Sequence, residues 1–154
     1  MDYFLRTGTW KHKRRTPDQW KKWALKGASS KAVSDHPDLF TDAGQPGPLT
    51  YEVELYQGCV RYKRGCKFCI EPKKGVPVWR DERDVIEEIR LAADSGVRNV
   101  RIGGATDVYT YKAEGVVELE YPVPNPQPIS DVLHGIREDE RIEILHVDIA
   151  NTCL

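Results

Sequence analysis

Cys59, Cys66 and Cys69 fall within eleven residues of a chain that holds four cysteines. Gly58 and Gly65 stand in the same stretch, so the backbone can wind closely around whatever the sulfurs bind. Thiolates are soft ligands, and Cys-x6-Cys-x2-Cys in one loop suits a transition metal or an iron–sulfur cluster. Three thiolates around a four-iron cluster leave one iron open to a further ligand. A structural zinc site wants four ligands and would recruit a distant partner such as His134, His146 or Cys153. A second candidate is Gly103-Gly104, where side chains vanish at the end of a predicted strand. There a ligand could approach the backbone.

These residues need elements to hold them. Tyr51 to Tyr56 alternates Val53 and Leu55 with Glu52 and Glu54, which reads as a strand running straight into the cysteine loop. Asp81 caps a helix whose Val85, Ile86, Ile89, Ala92 and Ala93 make an apolar stripe ending at Gly96. Residues 98–102 form the next strand and lead into Gly103-Gly104. A helix over about 129–138 and a third strand over 142–149 complete the order. Strands alternating with helices after Thr50 are the grammar of a parallel α/β fold. Residues 105–128 are too long for an ordinary strand-to-helix connection, and the alternation Val117-Glu118-Leu119-Glu120 favours a small hairpin there.

Ahead of this unit, Thr16-Pro17-Asp18-Gln19 supplies a capping hydroxyl, a proline at the first helical position and a reciprocal Gln. Trp20, Trp23 and Ala24 are expected to share one face of that helix. A second short helix should stop before Pro37. Two glycines and two prolines in residues 41–48 mark a boundary, dividing a basic helical segment and linker, 1–49, from an α/β unit, 50–154.

Composition narrows the classes further. The 154 residues are 40% hydrophobic and 31% charged with a formal net charge of −1, which excludes a polyelectrolyte and most disordered chains. No signal-like apolar run opens the sequence and no stretch approaches the ~20 apolar residues of a membrane helix. A cytoplasmic protein without membrane association is expected. The charge is uneven: residues 10–26 carry seven Lys or Arg against Asp18, leaving the rest of the chain at −7. Such a run is a solvated face or a contact for nucleic acid.

With the cysteine loop after strand one, the Phe68-Cys69 pair, the helix over 84–95 and Gly103-Gly104 in view, the sequence resembles the radical S-adenosylmethionine superfamily from about Thr50 to Leu154. Gly65-Cys66-Lys67-Phe68-Cys69-Ile70-Glu71-Pro72-Lys73-Lys74-Gly75, followed by Arg80 and Asp84-Val85-Ile86-Glu87-Glu88-Ile89, is similar to the methylthiotransferase and cobalamin-associated branch and to an archaeal group of iron–sulfur oxidoreductases. The first gap has six residues where the superfamily's usual loop has three. Ala105-Thr106 stands where many members continue Gly-Gly with Glu-Pro.

The resemblance implies that Cys59, Cys66 and Cys69 hold a [4Fe-4S] cluster that chelates S-adenosylmethionine and cleaves it to a 5′-deoxyadenosyl radical, for methylthiolation or another modification. Gly103 and Gly104 would bind the amino group of S-adenosylmethionine, Phe68 and Ile70 would pack near its adenine, and Asp148 would lie on the same rim. An electron donor is implied, RNA is a substrate class of the relatives, and the cobalamin-associated members would add cobalamin. No catalytic side chain is assigned. The competing reading is a noncatalytic, zinc-stabilised module that binds nucleic acid or protein.

The implied fold is a (β/α)6 barrel, with active sites at the carboxyl ends of the strands. Alternation then turns Val53, Leu55, Val100, Ile102, Leu145 and Val147 to the helices. Glu52, Glu54, Arg101, His146 and Asp148 face the lumen, with Glu54 and Arg101 expected to interact across adjacent strands. At roughly 31 residues per βα unit, only the first three strands fit. The chain therefore reads as the N-terminal half of a barrel, a fragment that would self-associate through an open sheet edge.

Overall fold

The computed structural model describes residues 15–103, 107–119 and 121–148. Thr16 begins the first helix as its sequence dictates. Its hydroxyl accepts the Gln19 N–H at 3.2 Å, the Gln19 side chain accepts the Thr16 N–H at 3.2 Å, and α1 runs Pro17–Ala28. A short helix, α2 (Lys31–Ser34), follows. The tryptophans do not share a face: Trp20 is buried, whereas Trp23 is 54% exposed. Residues three apart are some 60° from eclipsed on a helix, enough to carry Trp23 out of the contact.

Strand β1 (Thr50–Glu54) is shorter than its alternation suggests. After Leu55 the chain turns into a separate antiparallel ribbon, β2 (Tyr56–Gln57) against β3 (Val78–Trp79), pairing Tyr56 with Trp79. Helix α3 (Glu82–Asp94) starts where Asp81 accepts the Arg83 N–H at 2.9 Å. It ends at Gly96, whose φ of +106° and contact with Leu39 leave no room for a side chain. Strand β4 (Asn99–Gly103), helix α4 (Pro126–Arg137) and strand β5 (Ile144–Val147) follow. Helix α4 begins a turn before the expected start, because Pro126 and Pro128 occupy its first turn, where a missing N–H costs nothing.

The three longer strands form one parallel sheet in the order β1-β4-β5. One face meets α3 and α4 in a core of Val53, Leu55, Val85, Ile89, Val100, Ile102, Val132 and Ile136, which Ala28 and Leu39 of the N-terminal segment also enter. Leu145 and Val147 pack against it, so the expected helix-facing set is met. The register places Glu52 opposite Arg101 and Glu54 opposite Gly103. Arg101 accordingly reaches Glu52, at 3.6 Å, and Asp148, at 2.5 Å; the expected pairing with Glu54 is corrected by a two-residue offset that keeps the same face. Among the described residues the sheet is a parallel three-stranded α/β unit.

Candidate metal-cluster site

Parallel strands bring their carboxyl ends to one rim, so the loop after β1, Gly103 at the end of β4 and Asp148 after β5 lie on that side of the sheet. Gly104, Ala105 and Cys153 are outside the described residues.

The cysteine loop leaves the β2 strand through Gly58, whose φ of +98° requires glycine. Cys59 is free and buried, and its Sγ accepts the Arg61 N–H at 3.3 Å. Cys66 is free and exposed, and Cys69 is free and half-buried; the two are joined by a turn in which the Cys69 N–H donates to the Cys66 carbonyl at 3.1 Å. Among the described residues no three His, Cys, Asp or Glu side chains are gathered to hold a metal. The donor set nonetheless fits a three-thiolate cluster in kind: three free thiols on one loop, one fixed in the protein and two on an adjoining turn. Convergence would have to come from the exposed turn, since Cys59 is packed in place.

Phe68 and Ile70 are 92% and 60% exposed. Gly103 is buried, and a Cβ there would run into the Glu52 carboxylate. Glu52 thus sets an acidic group beside the strand end where the sequence suggested backbone alone. Asp148 bridges Arg101 and His146, the latter at 3.7 Å.

The long excursion serves this loop. Its described part holds a 3-10 turn, Val108–Thr110, and turns over 114–118; the expected hairpin strand at 117–119 does not form. Instead Val116 and Ala113 pack with Val60 and Trp79 beneath the cysteine loop. Lys63 donates to the Val117 carbonyl at 2.6 Å, and the Arg61 guanidinium lies 4.8 Å from the centre of the Tyr121 ring. The Tyr56 hydroxyl accepts the Asp107 N–H at 3.0 Å, stitching the excursion to the β2–β3 ribbon. Sequence reasoning missed this support, which joins residues more than fifty positions apart.

No family model matches the chain. It is 35% identical over 139 residues to an uncharacterized protein of Methanocaldococcus jannaschii, covering 89% of this chain and 24% of that protein. An uncharacterized Archaeoglobus fulgidus protein is 34% identical over 133 residues, covering 84% and 22%. The tRNA-2-methylthio-N(6)-dimethylallyladenosine synthase of Halorhodospira halophila is 37% identical over 84 residues, covering 51% of this chain and 17% of the synthase. The chain is a partial homologue of both groups. It spans about a quarter of the archaeal relatives' length and under a fifth of the synthase's.

The zinc reading's candidate histidines are scattered. His134 sits exposed on α4, its Nδ1 2.7 Å from the Ser130 carbonyl, and His146 is on β5 beside Asp148. No described helix is long and apolar enough to cross a membrane.

Proposed function

We propose that residues 50–154 are the cluster-binding part of a radical S-adenosylmethionine enzyme acting on RNA in the cytoplasm, with residues 1–49 as a basic helical N-terminal segment and linker. The observation that carries this reading is the three-thiol loop at the carboxyl rim of a parallel sheet, in a chain partly homologous to a tRNA-2-methylthio-N(6)-dimethylallyladenosine synthase.

Cys59, Cys66 and Cys69 would hold a [4Fe-4S] cluster. When bound and reduced by an electron donor, it supplies the electron that cleaves S-adenosylmethionine to methionine and a 5′-deoxyadenosyl radical. The chain's own residues bind and orient. Gly103 and Gly104 would offer backbone to the amino group of S-adenosylmethionine, and the Glu52 carboxylate beside Gly103 suits an ammonium. Phe68 and Ile70, exposed on the loop, are apolar surface that an adenine would cover. Asp148, tied to Arg101, would shape the far side of the rim. For RNA, support comes from α1: exposed Trp23 is flanked by Lys22 and Lys26, whose ammonium groups lie 6.0 and 5.3 Å from the ring.

Anaerobic reconstitution of the chain with iron and sulfide, followed by EPR with and without S-adenosylmethionine, tests the reading. Expected is one four-iron cluster, lost on replacing Cys59, Cys66 or Cys69 with Ala and retained on replacing Cys153, with a spectrum that changes on adding S-adenosylmethionine. Stoichiometric zinc binding lost in His134→Ala or His146→Ala would overturn it in favour of a zinc-stabilised module.

A further inference from the structure

We propose that Glu71 is a positioning residue that closes the cysteine loop, an inference that rests on the cluster reading above. The loop departs at Gly58 and returns at Glu71, and one carboxylate joins the two ends. Glu71 Oε2 accepts the Gly58 N–H at 3.2 Å, while Oε1 pairs with the Lys74 ammonium one turn later. Both side chains are largely covered, at 25% and 19% exposure, so water competes little for either contact.

The location makes the bond more than a local cap. Cys59 follows Gly58 directly, and Cys69 precedes Glu71 by two residues. A single hydrogen bond therefore fixes the backbone of the first thiol relative to that of the third. The next residue extends the grip to the middle of the loop, because Pro72 packs so closely on Gly65 that a Cβ at Gly65 would overlap its ring. Gly65 adjoins Cys66. Glu71 and Pro72 thus touch the residue beside the first thiol and the residue beside the second, from a 3-10 turn, Glu71–Lys74, that begins two residues beyond the third.

A six-residue first gap leaves Cys59 and Cys66 free to drift apart unless the loop is closed by something other than its own length. The Glu71 clamp supplies that closure before any ligand binds.

The full chain with Glu71→Ala, Glu71→Gln and Lys74→Ala tests this by two measurements. In the metal-free chain, amide exchange by NMR should find the Gly58 N–H protected in the wild type and about tenfold to a hundredfold faster in Glu71→Ala, the range expected for losing one hydrogen bond to a charged acceptor, with Ile102 unchanged. In the reconstituted chain, the lifetime of the iron chromophore against a chelator should fall by about the same factor. Glu71→Gln keeps an acceptor oxygen and should restore most of both, and Lys74→Ala should have the smaller effect. An unprotected Gly58 amide in the wild type overturns the clamp whether or not the variants fold. Unchanged exchange and cluster lifetime in Glu71→Ala overturn it as well, while leaving the cluster reading standing. If the wild type takes up no cluster, that reading fails, and the exchange of Gly58 alone decides whether Glu71 closes the loop.

Discussion

The Arg80 guanidinium meets the Glu88 carboxylate at 2.6 Å with the side chains only 2% and 8% exposed. Arg80 also donates to the carbonyls of Glu54, at 3.1 Å, and Asp84, at 3.4 Å, and lies 5.4 Å from the centre of the Trp20 ring; Tyr51 donates to Glu88 at 2.9 Å. One buried cation thus joins α1, the end of β1 and α3. Removing one partner strands the other without water. Arg80→Ala and Glu88→Ala should each lower stability by about 3–5 kcal/mol, and Arg80→Met with Glu88→Leu should recover part of the loss. Strictly additive losses in chemical denaturation would show that the two groups do not act as a pair.

Two tyrosines bracket this pair and report on it by titration. Burial, with the Glu88 carboxylate beside it, raises the Tyr51 phenol well above its usual value, and burial does the same for Tyr111, whose hydroxyl donates to the Arg80 carbonyl at 2.7 Å. A raised folded value means that the folded state favours the neutral phenol. The contribution to stability is therefore complete below the unfolded value of about 10 and is lost as pH rises from there through the folded value. Ultraviolet titration should find at least two of the seven tyrosines, Tyr51 and Tyr111 among them, silent until the chain unfolds in alkali. Smooth ionisation of all seven near pH 10 would contradict the burial.

How much of this could be read from sequence follows from the range of each interaction. The Thr16 and Asp81 caps are legible because each is made within three residues of itself. The faces of β1, β4 and β5 are legible from alternation alone. Alternation does not set the offset between strands, however, so Glu54 stood in for Glu52 as the partner of Arg101. The β2–β3 ribbon has no readable pattern, since two residues, Val78 and Trp79, cannot show a period. Support of the cysteine loop by Val116 and Val117 joins residues more than fifty positions apart, which no local signal encodes. The cysteines were legible as ligand types; the clamp at Glu71 was not, because a lone Glu in a charged turn looks solvated.

Gly103 offers a sharper test of the strand-end geometry. Its missing Cβ is the space into which the Glu52 carboxylate leans. Gly103→Ala should push this exposed, flexible carboxylate aside at a cost of about 1 kcal/mol or less. Glu52→Ala, on an exposed side chain, should be close to neutral, and the double variant should resemble Glu52→Ala. Thermal unfolding of the four proteins measures this. A double variant as unstable as Gly103→Ala would mean that Glu52 is not what the new methyl meets.

Self-association should follow from the edge of the sheet. Strand β5 pairs with β4 on one side and, among the described residues, with no strand on the other. Its residue Ile144 is 58% exposed, on the face opposite Leu145 and Val147. An unpaired edge offers a row of backbone donors and acceptors to any chain that can align with it, and an apolar side chain beside that row adds burial to the pairing. Lysine is the usual guard of such an edge, because pairing would have to desolvate its charge. Sedimentation across a concentration series should show wild-type association that weakens in Ile144→Lys, whereas Trp23→Lys, which changes an equally exposed apolar residue away from the sheet, should leave it unaltered. A wild-type chain that stays monomeric throughout would mean that the β5 edge is already protected, and equal weakening by both variants would mean that general surface hydrophobicity, rather than strand pairing, holds the copies together.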